Sequence, residues 1–338
     1  MYVETGLSVR ARRFERAERR LAMVLVVTNR DDLTADWLIV EMRRRGTPFV
    51  RFNTEDYPYH VRVHWTPDGE RRLQLAGEDI ALSDVRAVWF RRPLPPQRPD
   101  DVDDELAAWA EREAQEALDG IWRTLDAIWV NHPDRNSLAG CKPEQLRTAL
   151  RAGFEIPESL ITNDAEELRA FASHHDMQLV CKPLFDGWVP SPRGDRVFWT
   201  SHLAADQFDG FDELGGEPYL FQALVPKAHD IRVTVIGNEA FAVGIHSQVD
   251  TASAVDWRRG DVERLEHRRE ELPDDLAQRC VDLVAHYGLI FGAIDLARRP
   301  DGGYTFFELN PNGQWAWIEQ RTGLPLRSRL LNVLLEAA

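Results

Sequence analysis

Apolar runs alternate with amphipathic stretches along the first part of the chain. Met23-Val24-Leu25-Val26-Val27-Thr28 reads as a fully buried strand, and Asn29-Arg30-Asp31-Asp32 supplies the turn and cap for an amphipathic helix running to Arg45. Gly46 ends that helix, Phe49 to Phe52 forms a second strand and Val85 to Phe90 another, so the chain opens as a small α/β domain. Four prolines between Pro93 and Pro99 break the pattern. A long helical repeat follows, with Leu106, Trp109, Ala110, Leu118, Ile121, Trp122 and Leu125 on one face, read as core packing.

From Ile128-Trp129-Val130-Asn131, a short apolar strand, the chain changes style. The pattern predicts a helix near 143–152, a strand near 156–161, a helix from Asn163 with Glu166 at capping-box spacing, and a strand through Val180. Residues 183–200, with Gly187, Pro190, Pro192 and Gly194, read as a flexible loop or wide hairpin. Strands then dominate at 219–225, 230–236 and 240–246, followed by a helix over 273–287 and strands at 291–297 and 304–310. We find no internal repeat.

Composition narrows the classes. With 43% hydrophobic residues and no run approaching membrane-spanning length, the chain reads as a globular protein with no membrane segment. Cys141, Cys181 and Cys280 lack the spacing of a disulfide framework or a cysteine zinc site, which points to a reducing cytoplasm. A net charge of −15 argues against a nucleic-acid or anionic-membrane partner gripped by overall field, so any anion site is local. The arginine-rich residues 1–22 carry no secretory signal and are expected to be a frayed helical extension, with Met23 as an alternative start. Of the 41 basic residues only Lys142, Lys182 and Lys227 are lysines. That is either compositional drift or a mark of places that need a compact ammonium.

The strongest chemical signal lies on the last two predicted strands. Glu308 and Asn310 are two apart and share a face, and an antiparallel neighbour brings Asp295 opposite them, so three hard oxygen donors converge as Mg²⁺ prefers. Lys182 closes a buried strand and Lys142 sits at a helix start, where both reach a polyphosphate. The stretch 220–225, apolar apart from Gln222, suits a planar base but is equally a plain strand. Alternation over 230–235 puts Asp230, Arg232 and Thr234 on one face, either as an exposed ion pair or as an anion clamp, and Asp256-Trp257-Arg258 adds a second arginine beside an aromatic. His229 and His246 are taken as structural or substrate-contacting rather than as a general base.

Taken in order, Lys142, Lys182, Gln222 to Val225, Asp230-Ile231-Arg232, Asp256-Trp257-Arg258, Asp295 and Glu308-x-Asn310 resemble an ATP-grasp carboxylate ligase. Val26 to Asp32, Trp89-Phe90-Arg91-Arg92-Pro93, the segment 156–164 and Asn310-Pro311-Asn312-Gly313-Gln314-Trp315 are similar to the ATP-grasp ribosomal peptide maturases, the graspetide synthetases related to microviridin ligases. The resemblance covers Met23 to the C-terminus. It implies an α/β and α+β ATP-grasp fold with a pre-ATP-grasp domain (23–128), a central subdomain (129–217) and a C-terminal subdomain (218–338), nucleotide lying between the last two.

It further implies ATP and Mg²⁺ as cofactors, with Lys142 and Lys182 on the phosphates and Ala223, Leu224 and Val225 around adenine. Asp295, Glu308 and Asn310 would hold the metal, and Arg232 and Arg258, with Lys182, would serve the reacting phosphate. The hinge position usually acidic in the family is Gln222 or a neutral neighbour here, which shifts ribose contact to Lys227 or Asp230. The partner implied is a precursor peptide with a leader and an acidic core, joined through its Asp or Glu side chains into ω-ester or ω-amide macrocycles; a homodimer is a further expectation. The alternative is an ATP-grasp ligase joining a free amino acid or small amine to another carboxylate. Residues 185–200, with Trp188, Arg193, Arg196 and Trp199, are the expected lid or peptide-docking segment.

Overall fold

The computed structural model describes residues 23–69, 71–185, 187–189, 194, 196–203, 216–261 and 263–336. The expected extension over 1–22, and Arg193 and the Trp188 side chain of the expected lid, lie outside them. The chain forms two compact units, one of residues 1–132 with 325–338 and one of residues 133–324.

In the first unit β1 (Met23–Thr28), α1 (Leu33–Arg45) and β2 (Phe49–Asn53) follow the predicted order. A small antiparallel sheet, β3 (Val61–Trp65), β4 (Arg71–Leu75) and β5 (Glu78–Ala81), comes next and was not foreseen. Then come β6 (Val85–Phe90), α2 (Asp104–Arg123) and β7 (Ile128–Val130). The main sheet is parallel, in order β2-β1-β6-β7. β1 and β6 are buried along almost their whole length, whereas the edge strand β2 alternates buried and half-buried positions.

Asp32 caps α1 by accepting from Thr34 and Ala35 N–H, while Arg91 and Thr28 reach its second oxygen. Gly46 closes α1 in the left-handed region at φ 67°, where a side chain would be strained. Phe52 meets Trp122 edge-on at 5.5 Å in the core. The aromatic stripe of α2 is core only in its second half: Trp122 is buried, but Leu106 and Trp109 are exposed. Buried Ala107 and Ala114 show that the inward face of the first turns is carried by alanine, so a pattern weighted by large side chains misplaced it.

The second unit opens with α3 (Pro133–Ala139), α4 (Lys142–Arg151), β8 (Ser159–Thr162), α5 (Ala165–His174) and β9 (Leu179–Lys182). The α5 cap is Asp164, which accepts from Glu166 and Glu167 N–H, and not the expected Asn163. Thr162 holds the Asp164 backbone N–H, shifting the turn by one residue. The loop after β9 carries the two-residue strands β10 (Trp188–Val189) and β11 (Arg196–Val197), paired antiparallel, and β12 (Ser201–His202). With β13 (Tyr219–Ala223) these give a sheet ordered β12-β9-β13-β8.

Next come β14 (His229–Ile236), β15 (Glu239–Ile245), α6 (Thr251–Val255), β16 (His267–Glu270), α7 (Asp274–His286), β17 (Phe291–Arg298), β18 (Tyr304–Asn310) and α8 (Ala316–Thr322). These strands form an antiparallel sheet ordered β16-β15-β14-β17-β18. Ile231, Val233, Val235, Ile294, Leu296 and Leu309 pack its inner face against Leu276, Cys280, Leu283 and Val284 of α7. The final helix, α9 (Leu326–Glu336), belongs to the first unit. Among the described residues no helix is long and apolar enough to cross a membrane.

Candidate functional site

The registers of three strands set the site. Arg232 on β14 lies opposite Asp295 on β17, and Asp295 lies opposite Glu308 on β18. Directly opposed residues of antiparallel strands share a face, so guanidinium and two carboxylates stand abreast. A bulge after Asp295 makes Phe307 the extra residue of β18 and re-aims its end. Arg232 Nη1 is 3.2 Å from Asp295 Oδ2, Arg232 is buried and Asp295 half-buried, and the guanidinium lies 5.7 Å from the Trp257 ring. The alternation over 230–235 therefore does not expose its polar face: Asp230, Arg232 and Thr234 are all buried, because this face of the sheet lines a cleft rather than solvent.

The cleft encloses about 640 Å³, solvent-open space included, between the four- and five-stranded sheets of the second unit. Lys182, at the end of β9, lines it with its ammonium 4.8 Å over the Phe307 ring. Arg258 is held by Asp256 through paired 2.8 Å bonds and reaches to 3.9 Å from Glu308 Oε1. Trp199, from the loop after β9, packs 5.6 Å from the Arg258 guanidinium. Lys227 donates to both oxygens of Asp230 at 2.7 and 2.8 Å and to Val255 O at 3.1 Å, and Ser247 donates to the same carboxylate.

The charges work on one another across this cleft. Burial pushes the Asp295 carboxyl up, Arg232 works against that, and the neighbouring Glu308 charge adds to it. Burial opposes ionisation of Glu308 too, but Arg258, Lys182 and Lys142 outweigh it and hold its pKa below the usual value. Burial lowers the Lys182 ammonium, against the pull of Glu308 and Asp256. The result is a carboxylate held toward its ionised form beside one that burial drives toward its neutral form, with Arg232, Arg258 and Lys182 around them.

Residues 23–137 match the model of the MvdD pre-ATP grasp domain. A Chryseobacterium gregarium RiPP-associated ATP-grasp ligase, solved with ADP and a leader and core peptide, superposes with a TM-score of 0.86 at 26% identity, covering 94% of this chain and 97% of that one. Macrocyclase MdnC bound with precursor peptide MdnA, from Microcystis aeruginosa MRC, gives 0.84 at 27% identity, with 93% and 100% covered. The chain has the ATP-grasp ligase fold. A third structure, ATP-grasp ligase PsnB complexed with minimal precursor, Mg and ADP, gives 0.75 at 25% identity, covering 93% of this chain and 96% of that one. No curated protein matches the chain.

Within the ATP-grasp cleft the expected residues divide. Lys182, Gln222, Ala223, Leu224, Val225, Lys227, Asp230, Arg258, Asp295 and Glu308 all line it, with Arg232 behind Asp295. Lys142 is not among the lining residues: it donates to Leu184 O and Phe185 O at 3.2 and 3.1 Å, anchoring the start of the loop after β9, and acts on Glu308 only through its field. Asn310 is exposed at the strand end, with its Oδ1 accepting from Asn312 N–H at 2.9 Å, and does not line the cleft either. Gly313 packs where a Cβ would lie 2.3 Å from Ala293 Cβ, which fixes this turn against β17. Ala223 and Leu224 N–H are already spent on Glu158 O and Gln178 O, so those two donors are turned away from any base.

His229 and His246 stack on each other, with Glu270 2.8 Å from His229 Nε2, and neither lines the cleft. Asp256, Trp257, Thr200 and Phe307 line it without having been singled out by role. Phe307 lay inside the Glu308-x-Asn310 motif, but only the bulge turns it inward.

Polyphosphate and a hard cation fit this lining on a direct observation. Asp295 Oδ1, Arg232 Nε and Nη1, Thr234 Oγ1 and Gln222 Oε1 are buried without a hydrogen-bond partner. Leaving such groups bare costs about 1–3 kcal/mol each. A ligand presenting anionic oxygens to the arginine and a cation to the carboxylates would satisfy the Arg232 and Asp295 atoms.

Proposed function

We propose that the protein is an ATP-dependent, ADP-forming carboxylate ligase that joins Asp or Glu side chains of a ribosomal precursor peptide to its own hydroxyl or amine groups, closing ω-ester or ω-amide rings. The observation that carries the reading is the Arg232, Asp295, Glu308 row facing Lys182 and Arg258 in one cleft of an ATP-grasp fold. ATP supplies the phosphoryl group that turns an unreactive carboxylate into an acyl phosphate, and Mg²⁺ screens the phosphate charge.

The residues of this chain do the rest. Glu308 and Asp295 offer hard oxygens for the cation, with Asn310 next on the same strand face. Lys182 places a compact charge against the phosphates, while the planar forks of Arg232 and Arg258 match phosphoryl oxygens on which charge develops. Asp256 holds the Arg258 fork in plane, and Trp257 backs that of Arg232. Lys142 holds the base of the loop after β9, whose Trp199 and Thr200 reach the cleft, so it acts as anchor for a covering segment that limits water access to the activated carboxyl.

All three of these solved structures were captured with a precursor or with leader and core peptides, which supports a peptide substrate over a free amino acid. The test is incubation with ATP, Mg²⁺ and a candidate precursor, followed by mass spectrometry. We expect loss of one water mass per link, with matching ADP release. ADP release driven by free amino acids, with every peptide silent, would overturn the reading.

A further inference from the structure

A second group of side chains with metal-ligating atoms lies next to the segment 223–224 of the cleft lining. Glu158, just before β8, and His174 and His175, at the C-terminal end of α5, bring one carboxylate oxygen and two imidazole nitrogens within 4.8 Å of one another. His175 Nε2 is 3.5 Å from Glu158 Oε2 and, although buried, has no hydrogen-bond partner. That spacing is long for a hydrogen bond but close to the separation of about 3.4 Å between two donors bound some 2.0–2.1 Å from one tetrahedral ion. His175 is held in place by Phe171, edge-on at 4.6 Å, and His174 stands nearly perpendicular to it at 4.9 Å. His174 and Glu158 are exposed, so turning their side chains toward an ion needs no repacking of the core.

We propose that Glu158, His174 and His175 form a zinc-class cation site distinct from the carboxylate row in the cleft. The donor chemistry separates the two: two imidazoles with one carboxylate select Zn²⁺ and its neighbours, whereas the all-oxygen Asp295 and Glu308 pair favours Mg²⁺. Three protein ligands leave the fourth position to water.

The position ties this site to the cleft. Pro157, adjacent to Glu158, lines the cleft, and Glu158 O accepts the Ala223 N–H at 2.9 Å. Gln178, which follows His175 and donates its N–H to His175 O, accepts the Leu224 N–H at 2.8 Å. An ion bound by Glu158 and the histidine pair therefore joins the two segments that flank the 223–224 rim.

The test is calorimetric titration of untagged protein with Zn²⁺ under saturating Mg²⁺, repeated with Co²⁺ to read tetrahedral coordination from its visible bands. His174→Asn alters an exposed side chain and leaves the fold intact, and Glu158→Gln keeps the shape of the third ligand. Each is expected to weaken Zn²⁺ binding at least about tenfold, the loss that even outer partners of metal ligands produce. Zn²⁺ should also raise the melting temperature of the parent protein more than that of either variant. Glu308→Gln should leave this binding unchanged. Equal Zn²⁺ affinity in the parent, His174→Asn and Glu158→Gln proteins, or a loss that follows Glu308→Gln instead, overturns the proposal.

Discussion

Gln145 offers the sharpest test of how the cleft is held. It sits on α4, buried, and its amide reads both backbone groups of Leu309: Oε1 accepts the Leu309 N–H at 2.8 Å, and Nε2 donates to Leu309 O at 2.7 Å and to Ala139 O at 2.6 Å. β18 is the edge of its sheet, so at this point the side chain stands in for a missing strand. The residue it grips lies between Glu308 and Asn310, and the helix that carries it begins at Lys142. Gln145→Ala leaves one N–H and two carbonyls buried without partners, which at 1–2 kcal/mol each amounts to about 3–6 kcal/mol, a large share of ordinary domain stability. Gln145→Glu is the informative companion: it keeps shape and the accepting oxygen but removes both donated bonds and sets a buried carboxyl against two carbonyl oxygens, costing at least about 2–4 kcal/mol. Urea unfolding should show both losses. In the still-folded Gln145→Glu protein the Mg²⁺ concentration for half-maximal ADP release should rise severalfold, with faster amide exchange over 304–310. An unchanged urea midpoint together with unchanged Mg²⁺ dependence would refute the reasoning.

Glu308→Gln should fold normally yet weaken apparent Mg²⁺ affinity at least about tenfold, measured as metal-dependent ADP release. Arg232→Lys should lower kcat about 100-fold with little change in melting temperature, since an ammonium cannot reproduce the fork beside Asp295. Lys227→Met strands the buried Asp230 carboxylate, whose pKa burial already raises; we expect a loss of about 3–5 kcal/mol in urea unfolding, partly recovered by adding Asp230→Asn. In the first unit, hydrogen bonds from Arg44 and Arg45 hold the buried Glu41 carboxyl down at about 2. Its contribution is present above the unfolded pKa of about 4.3 and fades as pH falls toward 2, worth about 1 kcal/mol after allowing for the exposed Arg44 partner. Glu41→Gln should remove that part of the acid dependence of unfolding.

Much of the framework was legible in the sequence, because period and punctuation are local. Gly46 marked the end of α1 to the residue, its cap fell within the expected Asn29 to Asp32 turn, and 304–310 emerged as a strand with the predicted bounds. The pairing of Asp295 with Glu308 followed from two-residue periodicity once antiparallel neighbours were assumed. Signals carried by small or polar side chains were lost: the alanine face of α2, the short sheet over 61–81 with its alternating charges, and the cap that moved from Asn163 to Asp164.

The sequence by itself determined which residues carry charge, oxygen donors and strand periodicity, and so the class of chemistry. Only the tertiary structure decided which of them share a cleft. It buried Arg232 against Asp295, kept Lys142 on the carbonyls of the loop after β9, left Asn310 at an exposed turn, and assigned Leu309 to Gln145 across 164 positions. The physical reason is that burial and hydrogen-bond partnership belong to pairs of distant segments, and a linear pattern fixes the face a side chain takes on its own element but not what that face meets.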